Sequence, residues 1–247
     1  MNKALQNKVA LVTGAGRGIG RAIACRLAED GAFVVVHYHG SEAGAEETIV
    51  AIRERGGEAV AYRADIAQRD QVRTLFTSID AAPGRLDIVV NSAGVSAGGS
   101  LAEVDEKQLE WMLDVNLRGP LFVASEAARR LGAGGRIINV SSTLAEYPMA
   151  GSGIYSATKV AIQSFTESWA RELGRKGVTV NTVIPGATSP GMMDSAPQGF
   201  RSFFENASPF KRIGRAEEIA AVVAFLASPE ASWVSGAHIL ANGAANT

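Results

Sequence analysis

A tyrosine and a lysine four residues apart, Tyr155 and Lys159 in the stretch SSTLAEYPMAGSGIYSATK, are the residues whose types and spacing could do chemistry. On a helix this spacing puts both on one face. A free phenol ionises at about pH 10. One that must exchange a proton near neutrality therefore needs a neighbouring cation to favour its phenolate, and Lys159 can be that cation. Ser142 closes an apolar run of β character upstream, from which its hydroxyl could point into the same space. Taken alone, the pair is also what a surface helix with a solvated tyrosine and a snorkelling lysine would show. Its meaning depends on the elements that carry it.

Those elements alternate. KVALVT is a short apolar run ending in glycines, IGRAIACRLAEDG has helical periodicity with a stop at Gly31, and AFVVVHY is a second β-rich run. A polar helix over 41–55 follows, then EAVAYRAD as a strand, QRDQVRTLFTSIDAA as a helix and LDIVVNSAG as a fourth strand. Residues 105–131 read as one long helix, with Asp105 and Gln108 placed like a capping box and Pro120 expected to kink or divide it. GRIINVSS delivers Ser142, the Tyr155 helix follows, and VTVNTVI ends at Pro185-Gly186. The period then fails over 187–209, which reads as a long loop with one short helix, of the composition usual for a lid or binding loop. AEEIAAVVAFLAS is a helix and HIL a last strand.

This alternation implies right-handed βαβ units and an α/β fold: a single doubly wound domain over 1–247, with a parallel sheet of about seven strands and helices on both faces. In such sheets ligands bind at the carboxyl ends of the strands. The polar and glycine residues of interest fall there, at Gly14–Gly20, Asp65 with Ile66, Asn91–Gly94, Ser142 and Pro185.

Acids and bases are interspersed and the formal charge is −1, so there is no basic footprint for nucleic acid and no polybasic patch for a membrane. The expected partner is a small molecule. The apolar run near the N-terminus is too short for a secretory signal or a membrane span. The single cysteine, Cys25, allows no internal disulfide, and a reducing cytoplasm is the expected compartment. Neither His37 nor His39 has the partner set of a metal site, so no metal is expected.

The turn Thr13-Gly-Ala-Gly-Arg-Gly-Ile-Gly20 departs from G-x-G-x-x-G, but its glycines still let the backbone approach a pyrophosphate at a helix N-terminus. Gly14, Gly16, Arg17, Gly18, Ile19 and Gly20 are therefore candidate cofactor contacts. An NAD site usually ends its second strand in an acid that accepts from the ribose 2′-hydroxyl. Here the strand ends His37-Tyr38-His39, with no acid until Glu42, and Arg17 stands in the glycine turn. NADP(H) is favoured, with Tyr38 and His39 beside its ribose, and NAD(H) is the alternative. Asp65 could accept from the adenine amino group or cap the next helix.

With these residues in hand, the chain resembles the short-chain dehydrogenase/reductase family over essentially its whole length, through Thr13-Gly-x-x-x-Gly-x-Gly20, Asn91-Ser-Ala-Gly94, Asn116, Ser142, Tyr155-x-x-x-Lys159 and Pro185-Gly186. The resemblance implies a Rossmann-type subunit, a homotetramer (or homodimer) and catalysis by Asn116, Ser142, Tyr155 and Lys159. Ser142 would polarise a carbonyl and Tyr155 exchange its proton. Lys159 would lower the Tyr155 pKa and hold the nicotinamide ribose, and Asn116 would support a water linking Lys159 to solvent. Asn91, Ala93, Gly94, Pro185, Gly186 and Thr188 would complete the cofactor site. Three departures stand out: Ser92 replaces a common asparagine, Pro190 stands where many members place a threonine that holds the carboxamide, and the tail reads ANGAANT. Thr188 can substitute for that threonine. The pattern SPFKRIGRAEEIAAVVAFLAS is similar to 3-oxoacyl-carrier-protein reductases and their relatives.

The reaction implied is hydride transfer between a nicotinamide and a ketone or secondary alcohol. The substrate wall is expected from 96–101, 146–153 and 191–204, with Ser142, Tyr147, Met149, Met192 and Phe203 as contacts, and Glu146 as either a polar selector or a solvated loop acid. Met193, Phe200 and Phe204 add apolar surface, which favours a 3-oxoacyl thioester or another apolar or aromatic ketone; the phenylalanines could equally pack the loop onto the sheet or a neighbouring subunit. The alternatives are an NAD-dependent polyol or alcohol dehydrogenase and, from another class, a non-catalytic dinucleotide-binding regulator. Trp111, Leu117, Phe122, Phe165 and Trp169 give the two long helices more apolar surface than one sheet face needs, which points to association.

Overall fold

A computed structural model describes the chain at residues 3–195 and 197–245; the last two residues of the tail lie outside them. The alternation expected from the sequence is present. In chain order the elements are β1 (Val9–Val12), α1 (Gly18–Glu29), β2 (Phe33–Tyr38), α2 (Glu42–Glu54), β3 (Glu58–Arg63), α3 (Arg69–Ala81), β4 (Ile88–Asn91), α4 (Glu106–Leu113), α5 (Gly119–Arg130), β5 (Arg136–Val140), α6 (Gly153–Leu173), β6 (Thr179–Pro185), β7 (Thr188–Ser189), α7 (Gln198–Ala207), β8 (Gly214–Arg215), α8 (Ala216–Ala227) and β9 (His238–Ala241).

Seven strands form one parallel sheet in the order β3-β2-β1-β4-β5-β6-β9. The chain runs outward from β1 to β3 and then returns to β4, so the switch point lies between β1 and β4. Successive residues of each strand enter opposite cores. Ala10, Val12, Val34 and Val183 pack under α1, α2 and α8 with Ile23, Ile49 and Val223. Leu11, Val35, Val89 and Ile137 pack under α3, α5 and α6 with Phe76, Val123 and Leu173. Each of the Val, Leu, Ile and Phe side chains among them contributes roughly 1.5–3 kcal/mol on full burial, which is why the strands read as near-continuous apolar runs.

Two regions differ from the sequence reading. The long helix is divided, as Pro120 required, into α4 and α5, and the join is a π turn over Asp114–Arg118. Pro120 cannot donate to the carbonyl four residues back, that of Asn116, and the wider turn gives its ring room. Asp105 caps α4 by accepting from the Lys107 N–H at 3.0 Å. The 187–209 stretch is more regular than a long loop. It holds β7 paired with β8, a 3-10 turn at Met192–Ser195 and then α7. Phe200, Phe203, Phe204 and Ala207 have the spacing of one helical face, and the Phe204 ring meets those of Phe200 and Phe203 edge-on at 4.9 and 5.3 Å.

Candidate active site

The carboxyl ends of β4 and β5 and the first turns of α6 bring the chemical residues together. Tyr155 and Lys159 share the buried face of α6, with the Lys159 Nζ 5.7 Å from the centre of the tyrosine ring. Ser142 leaves the end of β5, accepts from the Leu144 N–H and is hydrogen-bonded to the Tyr155 phenol. Lys159 donates to the Val140 carbonyl at 3.0 Å, and the Ser141 hydroxyl donates to the Lys159 carbonyl at 3.0 Å, so this turn of the helix is tied to the strand that delivers Ser142. Burial pushes the Tyr155 phenol above its usual pKa, and the bond from Ser142 opposes that rise. Burial also lowers the Lys159 ammonium to about 8. The sequence reading gave Lys159 the task of lowering the phenol; in the ligand-free protein Ser142 is the group that does so.

Asn116 lies in the π turn, 1% exposed. Its Oδ1 accepts from the Val95 N–H and its Nδ2 donates to the Val95 carbonyl, both at 2.8 Å, with a further bond to the Thr158 hydroxyl. It thereby fixes the loop after β4 against α6. A Cβ on Gly94 would stand 3.4 Å from the Lys159 Nζ and 3.5 Å from the Asn116 Oδ1. Deeper in the core, Asn91 donates to Asn139, Asn139 to Thr166 on α6, and Thr166 sits 2.7 Å from the Thr182 hydroxyl. Because Asn91, Asn139 and Thr182 occupy one rung of the sheet, this polar row sets how far along the sheet the catalytic helix lies.

On the other side of the switch point, Thr13 Oγ1 accepts from the Ser92 and Ala93 N–H groups and joins β1 to the loop after β4. The glycines of the turn are demanded by contact. Gly14 has φ +67° and backs onto Ala93, while a Cβ on Gly20 would lie 2.3 Å from the Gly14 carbonyl oxygen. The N-terminus of α1 is open: Arg17 makes no side-chain cap and the first turn holds no acid. Arg17, His39 and Ser41 are exposed and Tyr38 half-buried at the edge of this turn. The donor set fits a dinucleotide pyrophosphate. Asp65 does not cap α3, whose N-cap is Gln68; it accepts from the Ala67 N–H, and Ile66 beside it is buried.

At the end of β6, Pro185 is buried and Gly186 leads to Thr188, whose hydroxyl donates to the Gly186 carbonyl at 2.8 Å. The segment after it leans on the glycine turn, since a Cβ on Gly18 would stand 3.2 Å from the Gly191 Cα. Asp194 accepts from Ser189 and the Gly191 N–H and holds this bend. Of the expected substrate contacts, Tyr147, Met192 and Phe203 are exposed, Met149 and Ser142 half-buried. Glu146 is exposed and accepts from Gln163. Gly99 N–H donates to the Gly151 carbonyl and joins the loops after β4 and β5.

Three positions were missed in the sequence. Arg21 reaches from α1 to the carbonyls of Gly16 and Gly44 and to Glu47, and Gly44 is in contact with the Gly16 backbone. His37 bonds the glycine turn itself. Only His37 left a trace, as a polar residue within a run of otherwise apolar strand residues. Among the described residues no group of three or more His, Cys, Asp or Glu could hold a metal, and no helix is long and apolar enough to cross a membrane.

Comparison with known proteins covers nearly the whole chain. Residues 14–245 match the profile of a family described as enoyl-(acyl carrier protein) reductase. An uncharacterized oxidoreductase of Methylorubrum extorquens is 42% identical over 97% of this chain and 98% of its own length. A probable tetrahydroxynaphthalene reductase of Zymoseptoria tritici is 39% identical over 98% of this chain and 95% of its own. Among solved structures, the angucycline C-6 ketoreductase LanV with bound NADP superposes with a TM-score of 0.92 at 38% identity, covering 97% of this chain and 96% of that one. Matched by that profile over residues 14–245 and by relatives along nearly its whole length, the chain belongs to the short-chain dehydrogenase/reductase family of oxidoreductases.

Proposed function

We propose that the protein is an NADP(H)-dependent ketoreductase acting on an apolar or aromatic ketone. The observation that carries this reading is the Ser142 hydroxyl bonded to the Tyr155 phenol beside a buried Lys159, at the strand ends that face an open helix N-terminus. Ser142 and Tyr155 bind the carbonyl oxygen, and Tyr155 gives it a proton as the alcohol forms. Lys159 stabilises the phenolate left behind and holds the nicotinamide ribose. Asn116 keeps the loop after β4 in place and lines the path by which a proton returns through water. A bound nicotinamide supplies or takes the hydride.

The cofactor would lie along the strand ends. Gly16, Gly18, Ile19 and Gly20 would hold its pyrophosphate on a turn that Gly14 shapes, with Arg17, Tyr38 and His39 at the 2′-phosphate and Asp65 and Ile66 at the adenine. Asn91, Ala93, Gly94, Pro185, Gly186 and Thr188 would hold the nicotinamide end. The absence of an acid at the end of β2 supports NADP over NAD, and so does the NADP bound to LanV. Names of relatives favour an aromatic or polycyclic ketone: one is named a probable tetrahydroxynaphthalene reductase and another an angucycline ketoreductase. Tyr147, Met149, Met192 and Phe203 would meet its apolar body. We further infer a homo-oligomer, supported by the exposed Trp111, Leu121 and Val160 of α4–α6 and by Trp233.

Separate titrations of NADPH and NADH, followed by a panel of ketones, secondary alcohols and enoyl thioesters, test the reading. Tighter binding of NADPH and turnover of aryl ketones support it. Tighter NADH binding contradicts the cofactor choice, reduction confined to enoyl thioesters contradicts the reaction, and saturable NADPH binding without turnover of any substrate makes the protein a regulator.

A further inference from the structure

His37 occupies the inward position next to the end of β2, 2% exposed, and belongs to neither the catalytic group nor the cofactor contacts described above. Its Nδ1 accepts from the Gly14 N–H at 3.2 Å and its Nε2 lies 3.0 Å from the Ala64 carbonyl. These partners dictate the tautomer. A peptide N–H can only donate, so Nδ1 carries no proton; a carbonyl can only accept, so Nε2 carries one. Burial agrees, holding the imidazole neutral with a pKa of about 4. The His37 carbonyl also accepts from the Ala15 N–H at 3.0 Å. One residue thus bonds two successive peptide groups of the glycine turn and, through its ring, the end of β3 that leads into Asp65 and Ile66.

The opposite side of the turn is equally constrained. Gly14 backs onto Ala93, and the Ala15 carbonyl accepts from Thr48 on α2. The first two peptides of the turn are consumed by these internal bonds, and the Gly14 N–H is unavailable to a ligand. We propose that His37 is a positioning residue for the dinucleotide, whose two ring nitrogens set the distance between the glycine turn and the 64–66 segment. This rests on the cofactor reading above. The more demanding link is the one to Gly14, because a lost acceptor there leaves a buried N–H unpaired, in the one turn that must stay open toward a pyrophosphate.

Isosteric substitutions separate the two links. The side-chain oxygen of asparagine reaches about as far as Nδ1 and the amide nitrogen of glutamine about as far as Nε2. His37→Asn therefore keeps the acceptor for Gly14, and His37→Gln keeps only the donor to Ala64. Dissociation constants for NADPH are measured by fluorescence well below both melting temperatures, together with kcat at saturating NADPH. The expected result is an NADPH Kd raised about tenfold or more in His37→Gln and about threefold or less in His37→Asn, with kcat in both within about twofold of wild type. Equal affinities in the two variants, the opposite order, or a loss carried by kcat overturns the proposal. Failure of the wild type to bind NADPH overturns the cofactor reading and this role with it. Should His37→Gln not fold, ¹⁵N shifts of the wild-type imidazole decide: the neutral Nε2–H tautomer at pH 7 supports the role, and an Nδ1–H tautomer or an imidazolium overturns it.

Discussion

Burial drives Tyr155 and Lys159 toward neutrality from opposite sides, the phenol upward and the ammonium down to about 8. At pH 7 Lys159 still carries its charge, 5.7 Å from the ring whose phenolate it must favour, so the pair is poised rather than silenced. His37 shows the same force with a structural result. Its folded pKa of about 4 lies below the ordinary 6.5, so between these values the unfolded chain binds a proton that the native one refuses. Stability contributed by the neutral ring is complete above pH 6.5 and falls as the pH drops toward 4, by roughly 3 kcal/mol from this residue. Urea unfolding at pH 7, 5.5 and 4.5 should show that decline, and His37→Asn should flatten it; an equally steep decline in the variant would contradict the assignment. Tyr155 and Lys159 were legible in the sequence because helical spacing puts them on one face, and Ser142 because it ends a strand; the family resemblance gave the three their roles. His37 was not, because its partners lie on a turn and a strand end whose approach only the folded sheet defines.

The elements place these side chains by close backbone contact and by polar bonds across the core. Gly20 lies where a methyl group would penetrate the Gly14 carbonyl, at 2.3 Å, so Gly20→Ala must push α1 away from the turn. NADPH affinity should fall by about tenfold or more, read by fluorescence titration; unchanged affinity would mean that the turn does not cradle the pyrophosphate. Across the sheet, Thr166→Val would leave the Asn139 amide without its acceptor under α6 and should cost roughly 1–3 kcal/mol in urea unfolding. A variant as stable as wild type would show that the polar row does not hold the catalytic helix. The division of the 105–131 helix followed from Pro120, but the π turn that buries Asn116 did not, since proline forbids one bond without saying how the backbone adjusts. Over 187–209 the helical face of Phe200, Phe203, Phe204 and Ala207 was present in the sequence and masked by flanking glycines and prolines.

At the scale of the whole molecule, the parallel run of the strands was readable because helices between strands force right-handed crossovers, and the seven-stranded sheet is parallel from edge to edge; the order of its strands came only with the fold. What covers the outer surface was not readable in the same way, since apolar periodicity does not separate a core from a subunit contact. Trp233 is 98% exposed, and Trp111, Leu121 and Val160 also face outward. Sedimentation equilibrium should give a tetramer or dimer, shifted toward smaller species by Trp111→Glu; a wild-type monomer at micromolar concentration would contradict the oligomer. The central claim concerns the phenol. Single-turnover oxidation of bound NADPH by an aryl ketone, followed by absorbance in wild type and Tyr155→Phe, tests it most directly. The account predicts a rate lower by roughly 10²- to 10⁴-fold in the variant with NADPH affinity unchanged. Reduction by Tyr155→Phe at the wild-type rate would contradict it.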